Sequence, residues 1–195
     1  MRITISGTPG SGKSTVAKWL ARHLGYAYVN AGQIFRDAAA KRDMTLAEFA
    51  AHVRRHPSID RALDAALLRN VRAHDDVIAE GRLAGWMTKR ARIPALRVWI
   101  TARESTRVRR LMERDGGTRT EVRRALRERT TGDRERYLRT YRVDLRDMRP
   151  YTVIIATDTL TVQQTASRIL AELRATEHTR TNAPRRRRVH HRAHL

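Results

Sequence analysis

Residues 1–15 read Met-Arg-Ile-Thr-Ile-Ser-Gly-Thr-Pro-Gly-Ser-Gly-Lys-Ser-Thr. A short β-branched run ends in a complete G-x-x-x-x-G-K-[ST] loop, residues 7–14, and a helical pattern follows over residues 15–24. Strand, glycine loop and helix in that order define a phosphate-binding loop. The glycines let successive backbone N–H groups curl around an anion. The helix start adds roughly half a positive charge at the same spot. Gly7, Thr8, Pro9, Gly10, Ser11, Gly12, Lys13, Ser14 and Thr15 are therefore the expected contacts to a nucleoside triphosphate. In such a loop the lysine reaches the β- and γ-phosphates and the hydroxyl holds Mg²⁺, which assigns Lys13 and Ser14.

Downstream of the loop the pattern alternates between strand and helix. Strands are expected at residues 2–6, 26–30, 76–80, 96–101 and 151–156. Helices are expected at residues 59–74, 103–114, 120–141 and 161–173, and over 31–41 after a glycine turn. Thr45 with Glu48 three residues on forms a capping box for a helix over residues 46–56, and Pro57-Ser58 breaks the chain. Strands separated by helices predict an α/β fold, a parallel sheet covered on both faces. Ligands bind such sheets beyond the carboxyl ends of the strands. The loop lies there, and so do Asn30-Ala31-Gly32 and Glu80-Gly81-Arg82.

The 195 residues suit one domain, and the formal net charge is +21. Lys13, Lys18, Lys41 and Lys89 are the only lysines; every other basic residue is arginine. Arginine makes two-pronged contacts with phosphate. An Arg- and Ala-rich coding bias accounts for much of the Arg/Lys ratio but not for the net charge. There is no cysteine, hence no disulfide framework and no thiolate metal site. The loop opens at residue 7 and no apolar run approaches a membrane span. The expectation is a cytoplasmic monomer with no signal peptide and no membrane association. Residues 176–195 contain Pro184 and four consecutive arginines, 185–188, without apolar periodicity. They are expected to be disordered, with weak, nonspecific contact to nucleic acid as their plausible role.

Three further groups bear on chemistry. Arg36 follows a strand and a glycine, which suits a second phosphate. Glu80 at a strand end beside the loop suits the organisation of Mg²⁺ waters, with Arg82 placed for an acceptor phosphate. Arg129, Asp133 and Arg136 recur at intervals of four and three on one helix face, where arginines close over a transferring phosphoryl group.

With these motifs the chain resembles the nucleoside monophosphate kinases, most closely the short, archaeal-type cytidylate kinases. The likeness runs over roughly residues 1–175 and rests on residues 7–15, 30–36, 80–87 and 127–137 with Tyr141. The segment Glu80-Gly81-Arg82-Leu83-Ala84-Gly85-Trp86 is the most specific of these. The resemblance implies a three-layer α/β/α P-loop fold with about five strands. It implies a monophosphate-binding segment at residues 31–73 and a lid at 115–136. It implies transfer of the γ-phosphoryl group of ATP to CMP or dCMP with Mg²⁺. Lys13, Arg129 and Arg136 would then be catalytic, and Arg36 and Arg82 would take the acceptor phosphate. Asp133 would order the lid or touch the acceptor nucleoside, and Ser14 and Glu80 would serve the metal, Glu80 through water. Longer bacterial relatives carry Asp after Gly-Arg; this chain has Leu83, so the residue that reads cytosine stays open. Two alternatives remain at this point. One is another monophosphate or small-metabolite P-loop kinase. The other is a nucleic-acid-binding NTPase, against which stand the few aromatics and the lack of an RNA-binding motif.

Overall fold

The computed structural model describes residues 1–181. Five strands form one parallel sheet: β1 (Arg2–Gly7), β2 (Ala27–Asn30), β3 (Val77–Glu80), β4 (Leu96–Thr101) and β5 (Val153–Ala156), in the order β2-β3-β1-β4-β5. Eight helices connect and cover them among the described residues: α1 (Lys13–Leu24), α2 (Ala31–Ala40), α3 (Leu46–Arg55), α4 (Pro57–Ala73), α5 (Ala84–Arg90), α6 (Glu104–Asp115), α7 (Arg119–Tyr141) and α8 (Val162–Thr181). The expected α/β architecture is the one observed.

Burial on both faces explains the strand composition. Ile3, Ile5, Ile78, Val98 and Ile100 pack against Val16, Leu20, Ala166 and Ile169 of α1 and α8. Val77 and Ala79, one residue either side of Ile78, point the other way onto Leu67 and Val71 of α4. That is the period-two alternation of a strand. β1 is central, flanked by β3 and β4, so the loop after it opens at the middle of the sheet's carboxyl edge.

Several boundaries differ from expectation for local reasons. α1 starts at Lys13, two residues early, because Gly12 at φ 89° already serves as its N-cap. Residues 31 and 32 form no turn: α2 starts at Ala31, with Asn30 Oδ1 accepting from Gln33 N at 3.0 Å. Pro57 does not precede α4 but occupies its first position, where a missing N–H costs nothing. The capping box of Thr45 and Glu48 forms as expected, and α7 carries a second one from Thr118 and Glu121. Sequence reading missed α5, seven residues too short to show periodicity. Gly85 within it weakens the helical signal, yet an added Cβ there would lie 2.3 Å from the Tyr151 ring. α7 ends at Tyr141, as expected. α8 continues to Thr181, across the first residues of the stretch expected to be disordered from Thr176. No glycine or proline interrupts that stretch before Pro184. The arginines at 185–188 lie outside the described residues.

Candidate active site

Gly10 and Gly12 adopt positive φ, 76° and 89°, which bends the loop between β1 and α1. Its curvature is fixed from within and from outside. Ser11 Oγ donates to Thr8 O at 2.8 Å. Thr157 Oγ1, just after β5, donates to Ser11 O at 3.0 Å. From α6, Arg110 Nη1 donates to Ser11 O at 3.2 Å and Arg107 Nη1 to Pro9 O at 3.4 Å. Beside the loop opens a cavity of about 400 Å³, lined by Gly12, Thr15, Val16, Arg110, Thr157 and Leu160 among others.

Glu80 gathers the polar groups at the strand ends. The register sets Ile5 and Asn30 opposite it on the two neighbouring strands. Ser14 Oγ donates to Glu80 Oε1 at 2.9 Å, and Lys13 Nζ lies 3.7 Å from the same oxygen. Tyr28 OH and Asn30 Nδ2 both donate to Oε2, at 2.8 and 2.6 Å. The carboxylate is thus buried but satisfied on both oxygens. Burial pushes the Lys13 ammonium down to about 8; Glu80 opposes this, while Arg82 and Arg129 add to it. Burial likewise pushes Tyr28 up, helped by the charge on Glu80.

A second group lies where α7 crosses the end of β3. Arg82 forms an ion pair with Asp133, whose other oxygen is 3.6 Å from Arg136 Nη2. Arg136 Nε lies 3.5 Å from Asp60 Oδ2 on α4, and Arg136 Nη2 donates to Tyr137 OH at 2.6 Å. One turn along α4, Asp64 Oδ2 accepts from Tyr141 OH. Burial pushes Arg82 down to about 9, with Arg129 contributing, and pushes Asp64 up to about 6. Arg129 is exposed, lies within electrostatic reach of Lys13 and Arg82, and makes no hydrogen bond or ion pair among the described residues.

The structure therefore brings Lys13, Ser14 and Glu80 together, and separately Arg82, Asp133 and Arg136, with Arg129 between the two groups. Arg36 does not join either. It is exposed and donates only to Gln33 Oε1, at 2.8 and 3.2 Å, in its own helix. Sequence reading missed Tyr28, Asp60, Asp64, Arg107, Arg110 and Thr157. Asp60 and Asp64 did leave a signal: they sit four apart, set into the apolar stripe of residues 59, 63, 67 and 71. The backbone contacts of Arg107 and Arg110 left none.

A phosphate loop on the central strand, a carboxylate ending the next strand and cations carried in by a helix define a P-loop kinase fold. A gluconokinase from Sinorhizobium meliloti shares that fold at a TM-score of 0.61 and 16% identity, over 94% of this chain and 97% of that one. The chain belongs to the cytidylate kinase-like family, whose model matches residues 2–159. It is 41% identical over 157 residues to a protein named cytidylate kinase from Halobacterium salinarum, covering 80% of this chain and 81% of that one. To a protein of the same name from Thermoplasma volcanium it is 36% identical over 170 residues, 87% and 90% of the two chains.

Proposed function

We propose that the chain transfers the γ-phosphoryl group of ATP to CMP or dCMP, giving ADP and CDP or dCDP. The observation that carries this reading is the likeness to proteins named cytidylate kinase over four-fifths of the chain. The site geometry agrees with it. The acceptor's nucleophile is already an anionic phosphate oxygen, so no general base is needed. The obstacle is repulsion between acceptor and donor phosphates, and fixed positive charge in a dry cleft removes it.

In this reading residues 7–15 hold the ATP phosphates, and the cavity lined by Arg110, Thr157 and Leu160 takes the donor nucleoside. Lys13 balances charge on the β- and γ-phosphates. Arg82 and Arg36 bind the acceptor phosphate, Arg36 by swinging from its exposed resting position. Arg129 and Arg136 reach the transferring group when α7 closes, and closure excludes water. Asp133 holds Arg82 and Arg136 in readiness until phosphate replaces it. The Ser14 hydroxyl and the Glu80 carboxylate are hard oxygen donors 2.9 Å apart, a set that fits Mg²⁺ shared with phosphate and water. When bound there, the ion neutralises charge on the β- and γ-phosphates. In this reading the enzyme serves pyrimidine nucleotide metabolism in the cytoplasm; no helix among the described residues is long and apolar enough to cross a membrane.

ATP turnover measured in parallel with CMP, dCMP, UMP, AMP and GMP tests the proposal. CMP or dCMP should be the best acceptor. Faster turnover with AMP or GMP than with both cytidine nucleotides would overturn it.

A further inference from the structure

Leu83 leaves no carboxylate directly after Arg82, so recognition of the acceptor base must come from elsewhere. Of the carboxylates near Arg82, Asp133 is taken by Arg82 and Arg136. Asp60 and Asp64 remain, one turn apart on α4 and both facing α7. Asp60 is 5% exposed, and its Oδ2 has no hydrogen bond although Arg136 lies at ion-pair distance. Asp64 Oδ2 is held by Tyr141 OH, while its Oδ1 has no hydrogen-bond partner among the described residues. Nothing in the fold requires a buried and a half-buried acid side by side, and their mutual repulsion opposes it.

We infer that Asp64, steadied by Tyr141, reads the exocyclic amino group of the acceptor's base and rejects a carbonyl in its place. The inference rests on the reading of the chain as a pyrimidine monophosphate kinase. Three observations support it. The first is adjacency. Arg82, Asp133, Arg136 and Asp60 form a chain of ion pairs from the end of β3 to α4, and Asp64 lies one helical turn along α4 from Asp60. An acceptor with its phosphate on Arg82 would lay its nucleoside against the face of α4 that carries Asp60 and Asp64. The second is the wall beside Asp64. Leu68, one turn on, and Tyr141 are both half-buried and pack over the buried Leu83, Met87 and Tyr137, so their exposed parts offer apolar area to a flat ring. The third is protonation. Burial raises Asp64, the Tyr141 hydrogen bond and Arg136 lower it, Asp60 raises it again, and the result is about 6. Above that pH the group is a carboxylate, which only accepts hydrogen bonds. It suits the amino group of cytosine and leaves the C4 carbonyl of uracil facing an unpaired charge.

The test is kcat/KM for CMP, UMP and the 4-deamino analogue of CMP, with wild type, Asp64→Asn and Tyr141→Phe at one pH. Wild type should rank CMP first, the analogue second and UMP last. Asp64→Asn should lower the CMP:UMP ratio at least about tenfold, since the amide can turn its NH₂ toward the uracil carbonyl. Tyr141→Phe, acting by position alone, should lower it by less. The ratio cancels general damage to the enzyme. Equal losses on both substrates with the ratio unchanged would overturn the inference. So would wild type using the analogue as well as CMP, a result that needs no variant to fold. A wild type that phosphorylates no pyrimidine nucleotide would instead overturn the proposed function.

Discussion

Lys13 and Ser14 meet Glu80 across neighbouring strand ends of one sheet, whereas Arg82, Asp133, Arg136 and Asp60 come together from β3's exit loop, α7 and α4. The first group is positioned by backbone register, with Tyr28 and Asn30 closing off the second oxygen of Glu80. The second group is positioned by its own charges. Each arginine is neutralised by a carboxylate that an incoming phosphate can replace. Stripping one partner from a buried ion pair costs about 3–5 kcal/mol unless another charge takes its place. A phosphate anion supplies that charge, so ligand exchange and movement of α7 are linked in the proposed mechanism. One side of the cleft is built to be fixed and the other to be exchanged.

The sharpest way to break this contrast is Lys13→Ala. It should leave the fold intact and lower kcat by about a thousandfold, because Lys13 is the cation the loop itself fixes against the phosphates. Retention of more than about a tenth of the rate would show that the fixed side is dispensable. Next in size is Arg82→Ala, expected to raise the acceptor KM by about thirtyfold or more and the ATP KM by little. Arg36→Ala should follow the same pattern with a smaller rise, since Arg36 starts exposed and held only by Gln33. An effect on ATP alone in either variant would mean that donor and acceptor sides are exchanged. Smaller again are Arg129→Ala and Arg136→Ala, which should lower kcat about tenfold while changing either KM less, the signature of contacts made mainly in the transition state. Unchanged kcat in both variants would reduce that face of α7 to a solvated charged helix.

The same division decides what could be read from the sequence. The fixed side is contiguous: residues 7–14 announce the loop, and Glu80 was placed beside it by its position at a strand end. The three central strands were legible because burial on both faces forces continuous apolar runs, as in Val98-Trp99-Ile100. The exchangeable side was legible only in part. Arg129, Asp133 and Arg136 share a helix face and could be grouped from spacing, but the partner of Arg136 on α4, Asp60, lies about 75 residues away in the chain. No local pattern links Asp60 to Arg136 or Asp64 to Tyr141. Tyr28 was missed for a different reason: in a strand it reads as an ordinary apolar residue until the register sets it near Glu80. α7 was recognised as a helix despite its polarity; Leu126 and Tyr137 are its buried residues, and its charged side chains pair with Glu104, Asp144 and Asp60.

The mildest prediction concerns pH and bears on the fixed side alone. Loss of solvent holds Lys13 down at about 8, with Arg82 and Arg129 pushing the same way against Glu80. A lysine whose value is lowered keeps its charge below that value and loses it above. In the free enzyme the charge on Lys13 should therefore fade as pH rises through about 8. kcat/KM for ATP reports the enzyme before ATP binds, and should fall there with a limiting slope of about tenfold per pH unit. kcat reports the complex, where the triphosphate's negative charge favours the protonated lysine and raises its value. The fall in kcat should accordingly begin at higher pH. Profiles of both quantities between pH 6 and pH 10, at saturating acceptor, give the two midpoints. If kcat and kcat/KM fell together near 8, the titrating group would be one that bound ATP does not touch. The loss would then not belong to Lys13. Repeating the profiles in Arg129→Ala separates the cases. Removing a like charge should move the Lys13 midpoint upward in kcat/KM for ATP, and a midpoint that stayed in place would place the titration elsewhere.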